Sequence, residues 1–252
     1  MKISSVFKRM MFGKDVFVSY PKSGRTWMRY VLRLSGVDMR YEHAGSGQGL
    51  PEIGEDFAGV DQNILARRNV FMHRNPLDTA VSMYFETHFR QLHPSSNGYT
   101  EKFKKLQNFN RIPPEKIEDF VLDSIWGIER VCKFNRGWLN FIKSADKIQF
   151  HIISYETAKS NLELEIEKLL IFLNSSVKNI DEIVQKAQFD EMKKLESSLS
   201  EPVGKLRLGM QVPGEPESMK VRKGKIGGYR DYLSDHIIKQ CAQIASSYDF
   251  KV

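Results

Sequence analysis

Cysteine is nearly absent from this chain: Cys132 and Cys241 are the only two in 252 residues. They lie far apart in helical-looking segments, which excludes a disulfide framework or a cysteine-based metal knuckle and points to a reducing, cytoplasmic compartment. No apolar stretch reaches membrane-spanning length, and the N-terminus has neither an uninterrupted apolar run nor a small-residue cleavage site, so no secretory leader is expected. Internal repeats and low-complexity tracts are missing too. An acidic excess is also lacking, since 38 Lys and Arg against 31 Asp and Glu leave a formal charge of +7. Such a surface attracts anions, and nucleotides, nucleic acid or acidic lipid would suit it equally. With 41% hydrophobic residues there is enough apolar material for one core, so residues 1–252 are expected to form a single domain.

Residues 1–14 make a short basic amphipathic stretch, with Ile3, Val6, Phe7, Met10 and Met11 at helical spacing and Lys2, Lys8, Arg9 and Lys14 on other faces. A helix this short is marginal in water, so packing on its own domain is favoured over docking on a membrane surface. Beyond it, short apolar runs alternate with helical patterns. Val16 to Val18, Asn69 to Met72 and Ile148 to Ile153 read as strands. Met28 to Leu34, a segment from about Ile125 to Lys143, the stripe Leu162, Ile166, Leu169, Leu170 and Leu173, and Leu233 to Tyr248 read as helices. Another helix starts where Asn75 can cap, Pro76 suits the first position and Asp78 sits in the positive first turn, and it continues through Ala80, Val81, Tyr84, Phe85 and His88. Strands followed by helices predict an α/β fold, a central parallel sheet flanked by helices. The polar span 94–114 and the Pro- and Gly-containing span 197–219 read as lid or acceptor loops.

The first strand runs into Tyr20-Pro21-Lys22-Ser23-Gly24-Arg25-Thr26-Trp27. This is a phosphate-loop-like turn that lacks the nucleoside-triphosphate signature, because the Walker pattern needs a Gly separated by four residues from a Gly-Lys pair and a hydroxyl residue after that pair. Here Lys22 precedes the turn, and backbone amides from Ser23 to Trp27 would face an anion at the start of the next helix. Arg74 with Ser82 is a second anion-binding candidate: a planar fork at a strand end and a hydroxyl two turns into the following helix. The third is Arg222-Lys223-Gly224 with Lys225 and Gly227-Gly228 beyond, where glycine lets the backbone approach an anion among cations.

In this order the three segments resemble the sulfotransferase family that uses 3′-phosphoadenosine-5′-phosphosulfate as sulfuryl donor, and the resemblance covers most of the chain. Tyr20 to Trp27 is similar to that family's 5′-phosphosulfate loop, Arg74 to Ser82 to its 3′-phosphate motif, and Arg222 to Gly224 to its third signature. Ser154-Tyr155-Glu156 resembles its Tyr-Glu-Asp strand end, and Phe189 to Met192 its Phe-x-x-Met segment. The resemblance implies that Lys22 touches the 5′-phosphosulfate, that Thr26 with the neighbouring amides of Ser23, Gly24 and Arg25 holds its oxygens, and that Trp27 stacks on adenine. It further implies that Tyr155 and Phe189 complete the purine pocket, and that Arg74, Ser82, Arg222, Lys223 and Gly224 surround the 3′-phosphate. The product would be adenosine 3′,5′-bisphosphate, and no metal is implied.

Transfer to a hydroxyl or amine needs a base, and histidine suits that role near neutral pH. Among the six histidines His43 is chosen, because it follows the segment Val37 to Glu42 between the first and second anion motifs, where the family's catalytic histidine follows a strand. Lys22 would stabilise charge on the leaving oxygen. His73 should point to the opposite side of its strand from Arg74. The chain departs from better-known cytosolic members in having Tyr41 where they carry a Lys two residues before the histidine, with Arg40 as a candidate substitute. Gly227-Gly228-Tyr229 replaces their Gly-Asp-Trp, and Arg25 a usual Thr. A small-molecule acceptor is expected and no nucleic acid. The rival readings are a P-loop nucleotide kinase, whose Lys-Ser/Thr pair after the loop is missing here, and a catalytically silent nucleotide-binding protein.

Overall fold

The computed structural model describes residues 14–43, 57, 59–108, 110–146, 148–176, 179–198, 208, 212 and 214–252. Most of the amphipathic segment 1–14, the span 44–56 and most of 199–213 lie outside the described residues. In chain order the elements are β1 (Val16–Ser19), α1 (Arg25–Leu34), β2 (Arg40–Glu42), β3 (Arg68–His73), α2 (Pro76–Glu86), α3 (Tyr99–Asn108), α4 (Ile117–Leu122) and α5 (Ile128–Ser144). Then follow β4 (Gln149–Ser154), α6 (Tyr155–Ser160), α7 (Leu162–Phe172), α8 (Ile180–Lys186), α9 (Phe189–Ser197) and α10 (Asp235–Ser247).

The four strands form one parallel sheet in the order β2-β1-β3-β4. Strands covered on both faces read as continuous apolar runs rather than alternations, which is why Val16-Phe17-Val18 and Val70-Phe71-Met72 are apolar throughout. Their period of two sends Val16, Val18 and Phe71 into a core with α2, α5 and α10, where Trp138 stacks on Phe71 at 6.0 Å. Phe17, Val70 and Met72 face the other way, into a core with α1, α7 and α8. Each fully buried side chain of this size contributes roughly 1.5–3 kcal/mol, so the two faces together fix the register. No helix among the described residues is long and apolar enough to cross a membrane.

Two helix boundaries differ from the sequence reading. α2 ends at Glu86, and His88 lies in a π-helical turn, Thr87–Gln91, closed by the Leu92 amide donating to Thr87 O at 2.8 Å. The widened turn brings Arg90 Nε to 3.2 Å and Gln91 Nε2 to 3.0 Å from the Glu86 carboxylate. α5 starts at Ile128 rather than near Ile125, because Asp123 Oδ1 accepts the amides of Ile125 and Trp126 and spends those residues in a turn. The polar span 94–114 contains α3, and none of its described residues lines the cleft described below.

After β1 the chain crosses to β2 on one side, then returns to β3 on the other. The connections thus diverge between β1 and β3, and ligands of open α/β sheets bind in the crevice beyond the strand ends at such a point. The loop after β1 and Arg74 after β3 both emerge there.

Candidate active site

The loop from Tyr20 to Gly24 turns on two left-handed residues, Lys22 at φ 70° and Gly24 at φ 97°. Glycine is required at the second, because a Cβ there would stand 2.7 Å from Tyr155 Cδ2 and 2.8 Å from Met72 Cε. The Ser23 amide donates to Tyr20 O at 3.3 Å and its side chain is buried, so the amides presented to an anion begin at Gly24 rather than Ser23. α1 starts with no side-chain cap and no acidic residue in its first turn. Its positive end therefore faces the cleft uncompensated by the helix itself.

Asn75 caps α2 by accepting the amides of Leu77 and Asp78 at 3.0 and 3.1 Å, which holds the preceding Arg74 at the mouth. The Arg74 fork donates to Lys22 O at 3.4 Å and Lys225 O at 3.2 Å, and its guanidinium lies 4.4 Å above the Tyr155 ring. One turn on, Asp78 accepts the amides of Gly227 (2.8 Å) and Tyr229 (3.1 Å), fastening the third basic segment to α2. Arg222 rests 3.6 Å above the Phe85 ring and reaches Glu217 at 3.2 Å and the Tyr232 hydroxyl. Lys223 and Lys225 both pair with Asp231, at 3.1 and 2.9 Å. Gly224, at φ 59°, lets the backbone press on Phe189, whose ring a Cβ would meet at 2.4 Å.

Aromatic side chains adjoin these cations. Trp27 Nε1 donates to Ala187 O at 2.8 Å and its ring meets Tyr155 edge-on at 5.5 Å. Lys159 Nζ lies 5.9 Å from the Trp27 ring and 5.7 Å from that of Phe189.

A single cleft of about 1360 Å³ collects every sequence-predicted site residue except Ser23: Lys22, Gly24, Arg25, Thr26, Trp27 and His43 with Arg74, Ser82, Tyr155, Phe189 and Arg222 to Gly224. His43 follows β2, and it is the one histidine lining the cleft among the described residues. Its Nδ1 is 2.7 Å from Ser19 O. A carbonyl only accepts, so Nδ1 carries the hydrogen and the lone pair is on Nε2. Burial, and then the charge of Arg25, hold His43 well below the usual histidine pKa, so it is neutral near pH 7. His73 stacks on Phe71 and does not line the cleft, as strand alternation requires, while His88 Nε2 is engaged with Pro114 O at 3.0 Å.

Tyr41 lies against Phe17 at 5.5 Å and under the Arg29 guanidinium at 4.0 Å, and burial raises its phenol to about 12. Arg40 pairs with Glu42 at 3.4 Å.

Sequence reasoning missed the charge cluster beside Lys22. Lys22 Nζ sits 2.8 Å from Glu86 Oε2, in a pair whose side chains are 15% and 11% exposed. Burial pushes the Glu86 carboxyl up, but Lys22 and Arg90 outweigh it and hold the group below the usual carboxylate range. Lys220, which also lines the cleft, is brought down to about 7 by burial and by Arg90. Spacing carried a signal for both. Glu86 lies one turn after Ser82 on the same helix face, and Lys220 lies two residues before Arg222. Lys159, one turn after Tyr155 on α6, carried the same signal.

Comparison with known proteins gives a concordant result. The sulfotransferase domain family matches residues 65–247, a span that holds Arg74, Ser82 and the third basic segment. The amine sulfotransferase of Oryctolagus cuniculus is 26% identical over 250 residues, covering 87% of this chain and 75% of that one. Sulfotransferase 1B1 of Mus musculus is 24% identical over 247 residues, with 88% and 78% covered. Among solved structures, mouse sulfotransferase SULT7A1 complexed with PAP superposes with a TM-score of 0.57 at 20% identity, covering 93% of this chain and 84% of that one. Retinol dehydratase in complex with androsterone and inactive cofactor PAP gives 0.57 at 17% identity, with 94% and 82% covered. These two similarities concern the fold, and it is the domain match, extending over most of the sequence, that assigns the chemistry. The chain belongs to the sulfotransferase domain family and is a sulfotransferase.

Proposed function

We propose that this enzyme moves a sulfuryl group from 3′-phosphoadenosine-5′-phosphosulfate to the hydroxyl or amine of a small acceptor, with His43 as the base. One observation carries the reading: a single cleft joins the open end of α1 and Lys22 to a separate cationic cradle of Arg74, Ser82 and Arg222 to Gly224, with aromatic rings alongside and His43 on its wall. Two anion sites and an aromatic slot match a nucleotide with phosphate-type groups at both its 5′ and 3′ positions. A triphosphate needs only the first.

The residues present fit that donor. Arg74 Nε is buried with no hydrogen-bond partner, beside a fork already directed at the cleft by two carbonyls. Gly24 and Gly224 each bring backbone against an aromatic ring where a Cβ would intrude. Lys22 with the amides from Gly24 to Trp27 would hold the 5′ group, and Arg74, Ser82, Arg222 and Lys223 the 3′-phosphate. Trp27, Tyr155 and Phe189 would enclose the purine.

When bound, the donor supplies an activated sulfuryl group joined to the 5′-phosphate through a breakable S–O bond. His43 Nε2 accepts the acceptor's proton as its oxygen or nitrogen forms the new bond to sulfur. Lys22 offsets the negative charge that collects on the bridging oxygen, and the fixed cations hold the reacting groups in line. The test has two parts. Adenosine 3′,5′-bisphosphate should stabilise the protein against heat more than Mg·ATP does, and the reverse preference would return the nucleotide-kinase reading. His43→Ala should lower transfer about 10²–10⁴-fold while leaving bisphosphate binding intact. Transfer at the parental rate would remove His43 from the role.

A further inference from the structure

Beyond His43 the cleft continues along α1, whose Arg25, Arg29 and Arg33 stand one turn apart on one face and all line it. The Arg29 guanidinium lies 4.0 Å above Tyr41, two residues from His43. Arg25 and Arg29 both act on His43 electrostatically, lowering the tendency of its ring to take up a proton. Any acceptor hydroxyl within hydrogen-bond reach of His43 therefore stands in the same positive field. Among the described residues the carboxylates lining this half are Asp38, Glu42 and Glu86, and each is in an ion pair: with Lys14, with Arg40 at 3.4 Å and with Lys22 at 2.8 Å. The described lining of this half thus keeps a positive excess, to which Lys220 adds. An ammonium beside the reacting atom would be repelled there and an anionic group attracted.

We propose that the acceptor is a hydroxyl compound carrying a carboxylate, sulfate or phosphate group close to the reacting oxygen, recognised by the α1 arginines Arg25, Arg29 and Arg33. This narrows the acceptor and rests on the donor site proposed above. It assigns to the α1 arginines a selectivity that the donor site itself does not require.

The experiment titrates acceptors into protein saturated with adenosine 3′,5′-bisphosphate and follows binding by calorimetry. One series is 4-hydroxyphenylacetate, 4-ethylphenol and tyramine, which keep one phenol ring and change the side-chain charge from negative through neutral to positive. A second pair, methyl β-glucuronide and methyl β-glucoside, repeats the comparison on a sugar. The anion should bind about tenfold more tightly than its neutral partner on at least one scaffold at low salt, and the gap should close as salt rises. Arg29→Gln and Arg33→Gln should each shrink the gap while the bisphosphate affinity stays as in the parent; Arg33 is exposed, so its variant tests the idea even if Arg29→Gln disturbs packing on Tyr41. Equal affinities within both sets, tighter binding of tyramine, failure of both anions to bind, or an anion advantage that survives both substitutions would each overturn the proposal. Failure of the protein to bind bisphosphate at all is a different result, which takes down the donor site first.

Discussion

Glu86→Gln should make the ligand-free enzyme less stable and yet tighten its grip on adenosine 3′,5′-bisphosphate. The Glu86 carboxylate holds Lys22 Nζ at 2.8 Å and Arg90 Nε at 3.2 Å, and both partners are largely buried. Taking one charge from a buried ion pair leaves the others uncompensated and typically costs 3–5 kcal/mol. Gln keeps one hydrogen-bond acceptor, so a loss of about 3 kcal/mol is expected. For a chain of this size that lowers Tm by roughly 6–10 °C. The opposite sign on binding follows from position. A phosphate gripped by Lys22 from its other side would sit about 6 Å from the carboxylate, the sum of two charge-assisted contacts. At an effective dielectric of about 20, two unit charges at that distance repel by about 3 kcal/mol, and salt reduces this to about half. Removing the carboxylate should therefore lower the bisphosphate Kd about tenfold. Differential scanning fluorimetry with and without bisphosphate reads both effects, since a tenfold tighter Kd adds about 1.4 kcal/mol of ligand stabilisation, or roughly 3 °C. A ligand-free Tm equal to the parent's, or a bisphosphate shift smaller than the parent's, would refute the reasoning. The second result would mean that Glu86 positions Lys22 for the anion instead of competing with it.

Two further outcomes are expected. Gly24→Ala combines left-handed strain with a Cβ 2.7 Å from the Tyr155 ring, a cost of about 2–5 kcal/mol, and it should also abolish the bisphosphate-induced shift. Gly36→Ala, at φ +74° with nothing within 4 Å, carries the strain alone and serves as the control, so equal Tm losses in the two variants would disprove the crowding. Stability should also depend on pH through His43, His73, His88 and His151, which burial holds below the usual histidine value in the folded protein. Below pH 6.5 the unfolded chain then binds more protons than the folded one. The histidine contribution is full above that pH and is lost as pH falls through the lowered values. Urea midpoints that stay constant from pH 7 down to pH 5 would contradict it.

Much of the architecture is written locally. Asn75-Pro76-x-Asp78 carries its own helix start, because a cap, a fixed φ and an acid in the first turn all act within one turn of chain. Apolar runs such as Val16 to Val18 announce a sheet covered on both faces for the same short-range reason. Boundaries were less legible where tertiary contacts intervene. α2 stops at Glu86 because the next turn widens to deliver Arg90 and Gln91 to that carboxylate, and the periodicity of Ala80 to His88 contains no trace of it.

Spacing along the chain singled out the candidate anion-binding residues and their order, since a loop before a helix and an arginine at a strand end present donors whatever surrounds them. Which charges meet depends on the folded chain. Asp78 fastens Gly227 and Tyr229 from across the chain, and Lys22 finds Glu86 rather than solvent. The arginine row of α1 becomes a wall around His43 only because β2 lies beside β1 in the sheet. Such pairings depend on how distant segments cross, and long-range electrostatics is fixed by that crossing rather than by spacing along the chain.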